Sequence, residues 1–406
     1  MLVPEGSGPG HLRPDAALRT PSELFSRYRI FKTEIVPAVR RREFRTSSSV
    51  TSSAFHPALI DRRLYGFMRY ISGLIYGEDG FYDGYVCIDD GMVIETGTGR
   101  PPGPSIRGTA VPGFVDCHTH IADAGLTVPD GISLEDLVAP PDGLKHKYLR
   151  DTPDNVIIGN MKEFRTSMRR YGTSIFADFR EGGVRGCNLI RSSVTGPRAI
   201  VLGRPVSPDF DADEIVSILN ISDGIGLPSI SDMGLGYMED VADLVHRKNK
   251  ILALHVSERV QEDFDTVMSL EPSFVVHMTR ASRKDMMKCA DSDIPVVVCP
   301  KSNMFFGNIP PLREMIGNGL TISLGTDNAM LRNPDMVAEA KAAADILGRD
   351  MADRMTDILL NNGRKLLYEG IGMSIETGSE QDVVIFPSLG GDPMTDILEC
   401  TERIVI

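Results

Sequence analysis

Val111-Pro112-Gly113-Phe114-Val115-Asp116-Cys117-His118-Thr119-His120 reads as a short buried strand ending in two histidines spaced two apart. Strand side chains alternate faces, so His118 and His120 point to the same side. Two imidazoles converging from one strand end supply half of a metal site without bending the backbone. A single His-x-His pair is as often two surface histidines, so the reading depends on what the rest of the chain places beside it.

Downstream, strands and helices alternate. Counting Phe114 onward as the first strand, the pattern predicts further strands at 173–178, 198–203, 224–230, 251–256, 274–277, 295–299 and 321–326. Helical patterns fall between them, at 154–171, 187–193, 213–220, 237–248, 262–269, 282–290 and 311–318. Two more, at 335–347 and 353–362, follow the eighth strand and are placed to close a ring. Eight such units predict an α/β fold of the (β/α)8 TIM-barrel type rather than an open doubly wound sheet. No Gly-x-Gly-x-x-Gly follows the first strand, which further disfavours a dinucleotide fold. The stretch 121–146 contains Pro140-Pro141-Asp142-Gly143 and reads as a long loop at a strand's C-terminal end, a place where loops tend to be functional.

Short strands precede the barrel at 69–75, 84–88 and 92–96, with Asp89-Asp90-Gly91 as a hairpin turn. The segments 382–386 and 403–406 are their expected partners. The expected organisation is therefore an accessory β-sandwich built from 68–110 and 371–406 around a barrel spanning 111–370. Residues 1–67 stand apart. They contain Arg40-Arg41-Arg42 and carry about five net positive charges, against a strongly acidic remainder. They read as a disordered tail, a basic arm, or upstream sequence before a native start at Met68, the last being favoured.

The chain has 406 residues and a formal net charge of −13, which argues against general binding to nucleic acid or anionic membranes. No apolar run reaches the length of a membrane-spanning helix. The six cysteines show no Cys-x-x-Cys spacing, a pattern of reduced thiols that points to the cytoplasm.

Active sites of such barrels lie at the C-terminal ends of the strands. The first predicted strand ends in His118 and His120, the fifth in His255 with Glu258 three residues on, the sixth in His277, and the eighth in Asp327. Four of the eight histidines in the chain share this position, which chance rarely arranges. Three imidazoles and a carboxylate suit a borderline divalent ion, Zn²⁺ first and Fe²⁺ second. Such an ion lowers the pKa of its water from about 15.7 toward about 7. Asp327 can bind the ion and accept a proton, although aspartate also favours helix N-caps. Glu258 is placed to carry a proton. His277 either binds metal or hydrogen-bonds the attacking water and the substrate. Arg180, Arg204 and Asn303, together with Lys145 and His146 of the first loop, are candidate substrate contacts; a salt bridge between loops explains each as well.

The set PGFVDCHTH, HVSE, VVHMT and SLGTDNAM, with CPKSN at 299–303, resembles the amidohydrolase superfamily. It looks most like the branch holding cytosine deaminase, S-adenosylhomocysteine deaminase and the triazine hydrolases, and the match covers roughly 68–406. The resemblance implies His118, His120, His255 and Asp327 as metal ligands, Glu258 as proton shuttle, and His277 as the residue that orients water and substrate. Two-metal members carry a carboxylated lysine on the fourth strand. Here 224–230 has no lysine, so one divalent ion is expected.

The resulting expectation is a metal-dependent hydrolase of a non-peptide C–N bond that deaminates a heteroaromatic small molecule of purine or pyrimidine type. Hydrolysis of a cyclic amide or of another leaving group is the alternative, and a non-catalytic barrel a third. The expected partners are a small-molecule substrate and, at most, further copies of the chain.

Overall fold

The computed structural model describes residues 68–139, 142–367 and 373–406. The basic leader 1–67 lies outside the described residues. The chain opens with β1 (Arg69–Gly77), β2 (Gly80–Asp89), β3 (Met92–Thr98) and β4 (Ser105–Pro112). A parallel sheet follows: β5 (Phe114–His120), β6 (Thr173–Arg180), β7 (Arg198–Gly203), β8 (Gly224–Leu227), β9 (Ile251–Val256), β10 (Phe274–His277), β11 (Val296–Val298), β12 (Ile322–Leu324) and β13 (Asp327–Asn328). Near the C-terminus come β14 (Val383–Phe386) and β15 (Ile404–Val405).

The parallel sheet runs β12-β11-β10-β9-β8-β7-β6-β5-β13. β12 pairs with β11, and β13 pairs with β5 at the far edge. Only Gly325 and Thr326 separate these two pieces, so one stretch of chain joins both edges of a curled sheet. Gly325 N–H donates to Val298 on one side, while Thr326 N–H donates to Asp116 of β5 on the other.

Alternation along these strands sorts the core. Val115, Cys117, Ile175, Ala177, Phe179, Ile200, Leu202, Ala253, Phe274, Val276, Val297 and Cys299 form one buried cluster. Their neighbours of opposite parity, such as Phe176, Val201, Leu252, Leu254, Val275 and Val296, join the helices in a second. This is the two-residue period of a sheet buried on both faces. Some of the intervening helices start on side-chain caps: Asp211 accepts from the backbone of Asp213 and Glu214, and Ser282 and Asp285 form a capping box.

Four expectations change. Val111–His120 is not one strand: the chain breaks at Gly113, where a Cβ would meet Ser174 Oγ at 1.8 Å. Val111 and Pro112 belong to β4, which pairs with β1 and β14 instead. Both chain ends do meet as expected, but in a single six-stranded sheet, β15-β14-β4-β1-β2-β3, rather than in two facing sheets. The stretch read as a long loop holds two helices, α1 (Leu134–Val138, with Ser133 as N-cap) and α2 (Leu144–Asp151). The region expected as one helix at 353–362 is a 3-10 turn, Arg349–Arg354, then a π-helical turn, Asp357–Asn361, before the α-helix Asn362–Leu367.

Candidate active site

The strand ends that carry histidine come together. His118, His120 and Asp327 offer ligand atoms within 4.8 Å of one another; so do His118, His255 and His277, and so do Glu258, His277 and Asp327. His118 Nε2 lies 3.3 Å, and His120 Nε2 3.7 Å, from Asp327 Oδ1. The imidazole rings of His118 and His255 are 4.9 Å apart, and Phe179 packs edge-on against His118 at 4.3 Å. β10 and β13 enter this centre through unusual backbone. His277 has φ 76° and Asp327 φ 63°, in the left-handed region that non-glycine residues seldom occupy. Strain of this kind persists where the surroundings over-determine a side chain's aim.

Hydrogen bonds from the backbone set the rings. His120 Nδ1 faces Phe179 O at 3.0 Å, and His255 Nδ1 faces Leu227 O at 2.8 Å. A carbonyl accepts only, so each Nδ1 carries the proton and each Nε2 keeps its lone pair for the centre. Ser302 Oγ donates to Asp327 Oδ2 at 2.5 Å, and Asn328 Nδ2 donates to Asp327 Oδ1 at 2.9 Å. Asp116 anchors the same loop through the hydroxyl and backbone of Thr326.

Burial keeps the imidazoles neutral. It pushes His118 down to about 4 and His120 down to about 3, and carries His255 well below its usual value. Burial alone would raise Asp327, but the contact with His118 and the surrounding imidazoles outweigh it and hold this carboxyl well below its usual range. Burial raises Glu258. Neutral imidazoles and an ionised carboxylate are the forms that bind a metal.

The donor set fits a divalent ion. Both ring nitrogens of His118 are buried without a hydrogen-bond partner among the described residues, an expensive condition for a polar group. An ion taking Nε2 would relieve part of that cost.

Of the expected substrate contacts, Arg204 lines the cavity above the centre, with Lys145, Ser229, Ser231, Asp232 and Arg259. Arg180 does not. It is 1 % exposed and its guanidinium is bonded to Asp178 and Glu181, so it lies behind the cavity. Asn303 is buried too and donates to His277 rather than facing substrate. His146 bonds to Val138 O and stays within the α1–α2 segment. Asp327 pairs with Thr119 in β13 and caps no helix. Glu181 went unrecognised in the sequence: its Oε1 is 2.7 Å from His120 Nδ1. β6 continues to Arg180, two residues past the expected end, and this extension brings Glu181 level with the histidines.

A family model described as the amidohydrolase family matches residues 109–356. The chain belongs to the amidohydrolase family. It is a hydrolase of carbon–nitrogen bonds other than peptide bonds. This amidohydrolase is 30% identical over 339 residues to an uncharacterized protein of Methanocaldococcus jannaschii, covering 76% of this chain and 87% of that one. It is 27% identical over 321 residues to a 5-methylthioadenosine/S-adenosylhomocysteine deaminase of Pelotomaculum thermopropionicum, covering 66% of this chain and 70% of the relative. Its fold is similar to that of an adenosine deaminase from Xanthomonas campestris with bound zinc. The TM-score is 0.65 at 18% identity, over 82% of this chain and 89% of that chain. Such neighbours imply a (β/α)8 barrel for the curled sheet of this amidohydrolase and support a divalent metal at the His/Asp cluster.

Proposed function

We propose that this amidohydrolase deaminates a heteroaromatic small molecule of purine type, with one Zn²⁺ held by His118, His120, His255 and Asp327. One observation carries the reading: four histidines, Asp327 and Glu258 converge from four separate strand ends, and all but the fully buried His118 line one cavity. When bound, the ion supplies Lewis acidity that makes water a nucleophile near neutral pH.

The chain's own groups account for the proton traffic. Asp327, held ionised, accepts a proton from the attacking water. Glu258 lies at the cavity with its carboxyl raised by burial, so it keeps a proton at higher pH than an exposed glutamate and can give it to the ring nitrogen beside the carbon under attack. His277 Nε2 is 3.7 Å from Glu258 Oε2 and faces the same space, where it can hydrogen-bond the incoming oxygen. Water adds to the ring carbon that bears the amino group; the amino group takes the proton held by Asp327 as its bond to that carbon breaks and leaves as ammonia, and the proton of the new hydroxyl returns to Glu258 as the carbonyl forms. The names of the deaminase relatives favour this over hydrolysis of a cyclic amide. A cytoplasmic enzyme fits the free cysteines among the described residues, and no described helix is long and apolar enough to cross a membrane.

The test is ammonia release by the zinc-loaded protein from adenosine, 5-methylthioadenosine, S-adenosylhomocysteine, aminopyrimidines and cyclic amides. Turnover of an aminopurine is the expected result. Turnover of cyclic amides alone would replace the deaminase reading.

A further inference from the structure

α2 brings a buried cation to the edge of the metal centre. Lys145 is 3 % exposed. Its Nζ donates to Asn328 Oδ1 at 2.9 Å and lies 2.8 Å from Glu181 Oε1 and 3.6 Å from Asp123 Oδ2. An ammonium surrounded by three oxygens has little left to offer a ligand, although Lys145 also borders the cavity.

The partners of those oxygens give the arrangement its meaning. Lysine only donates, and a carboxylate only accepts. Asn328 therefore has one possible orientation: Oδ1 to Lys145 and Nδ2 to Asp327 Oδ1, at 2.9 Å. On the other side, Glu181 Oε1 lies between Lys145 Nζ and His120 Nδ1, 2.7 Å from the latter. Its contact with the neutral ring is a close approach rather than a hydrogen bond, since the ring N–H is aimed at Phe179 O and Glu181 Oε1 has no hydrogen-bond partner among the described residues. Glu181 is further tied by Oε2 to Arg180 Nη2 at 2.5 Å. One cation thus stands a single residue away from two of the four proposed ligands, His120 and Asp327, which lie on adjacent strands. It rides on a helix of the segment that also puts Leu134, Val138 and Ala139 against the cavity.

We propose that Lys145 is a positioning residue for the metal centre: seated from α2, it orients Asp327 through Asn328 and fixes the charge of Glu181 against His120, so that the ligand set is complete only when α2 is docked. The proposal rests on the metal-centre reading above. Groups that hold metal ligands in place are worth 10–100-fold in affinity as a rule.

The experiment compares zinc affinity, by competition with a chromogenic chelator, and the visible spectrum of the Co²⁺-substituted protein. The variants are Lys145→Met, Asn328→Ala and Tyr148→Phe, each checked for folding by circular dichroism. Tyr148 sits on the same helix and accepts from Asn160, away from the centre, so its variant reports on general loosening of α2. The expected result is zinc binding about 10–100-fold weaker with an altered Co²⁺ spectrum in Lys145→Met, a smaller loss in Asn328→Ala, and no change in Tyr148→Phe. If Lys145→Met does not fold, Asn328→Ala against wild type decides. Wild-type affinity and spectrum in Lys145→Met, or in Asn328→Ala where that variant decides, would overturn the proposal while leaving the metal centre intact. An equal loss in Tyr148→Phe would overturn it as well. Failure of the wild-type protein to bind zinc or cobalt would instead remove the metal centre on which it rests.

Discussion

Asn303 donates from Nδ2 to Nδ1 of His277 at 3.2 Å. A nitrogen that accepts carries no proton, so the imidazole keeps its hydrogen on Nε2, the atom that faces Glu258. In this tautomer His277 presents a donor toward the cavity, the role in which it would hydrogen-bond water and substrate. Asn303→Asp replaces the donor with an acceptor and draws the ring proton to Nδ1. The expected outcome is a loss of about 10²-fold in kcat with zinc content unchanged, the size attached to a misplaced proton. Full activity in that variant would contradict the tautomer.

Glu258→Gln should still bind a divalent metal and lose at least ~10²-fold in rate, because glutamine can hydrogen-bond a ring nitrogen but cannot protonate it. The pH profile carries the sign. Burial raises this carboxyl, and the protonated form is the active one. Activity of the wild type should therefore fall as pH rises through that raised value, and the residual activity of the glutamine variant should lack this descending limb. Both are read from kcat against pH.

The strand ends were legible because side chains able to hold a metal or a proton sit where an apolar run stops. His118, His255, His277 and Asp327 each close a run of apolar residues, and those runs are the observed strands β5, β9 and β10 and the stretch around β12 and β13. Less could be read where tertiary packing overrides local pattern. Gly113 splits a continuous apolar run between two sheets, at a point where Ser174 leaves no room for a side chain. α1 is only five residues long and α2 is mostly polar, with Pro140 and Pro141 between them in the sequence, so neither carries an apolar stripe long enough to announce a helix. Arg180 invited a reading as an anion-binding group, yet the carboxylates that occupy it, Asp178 and Glu181, were next to it in the sequence all along. Alternation on an extended β6 would have aimed it, with Phe176 and Asp178, away from the face on which Phe179 meets His118.

Glu339 offers a test of stability. It is 1 % exposed, accepts from the Lys301 backbone at 2.9 Å, and is pushed up to about 8, chiefly by burial. Its folded value exceeds the unfolded one, so its contribution to stability is complete below about 4.3 and is lost as pH rises through about 8. Between those limits the native state holds a proton that the unfolded chain has released. Glu339→Gln keeps an acceptor for Lys301 and has no such slope. Relative to wild type, the variant should gain in Tm from pH 5 to pH 9. A constant difference in Tm across that range would contradict the assignment.

Gly325 is where the chain crosses from β11 to β5, and there is no room there for a side chain. A Cβ would stand 2.7 Å from His118 Cβ and 2.8 Å from His118 N. Those neighbours are β5 itself, which is paired on both sides and cannot yield as the tip of a side chain can. Gly325→Ala must therefore push the eighth strand away from the first. Overpacking of this kind costs about 1–3 kcal/mol. The displacement falls on Asp327, two residues on, whose distance of 3.3 Å from His118 defines the centre. Loss of zinc should then exceed what the fall in stability explains: at a temperature where the variant is fully folded by circular dichroism, its metal content should still be reduced. A folded variant with full zinc occupancy would show that β12 and β13 can separate from β5 without disturbing the ligands.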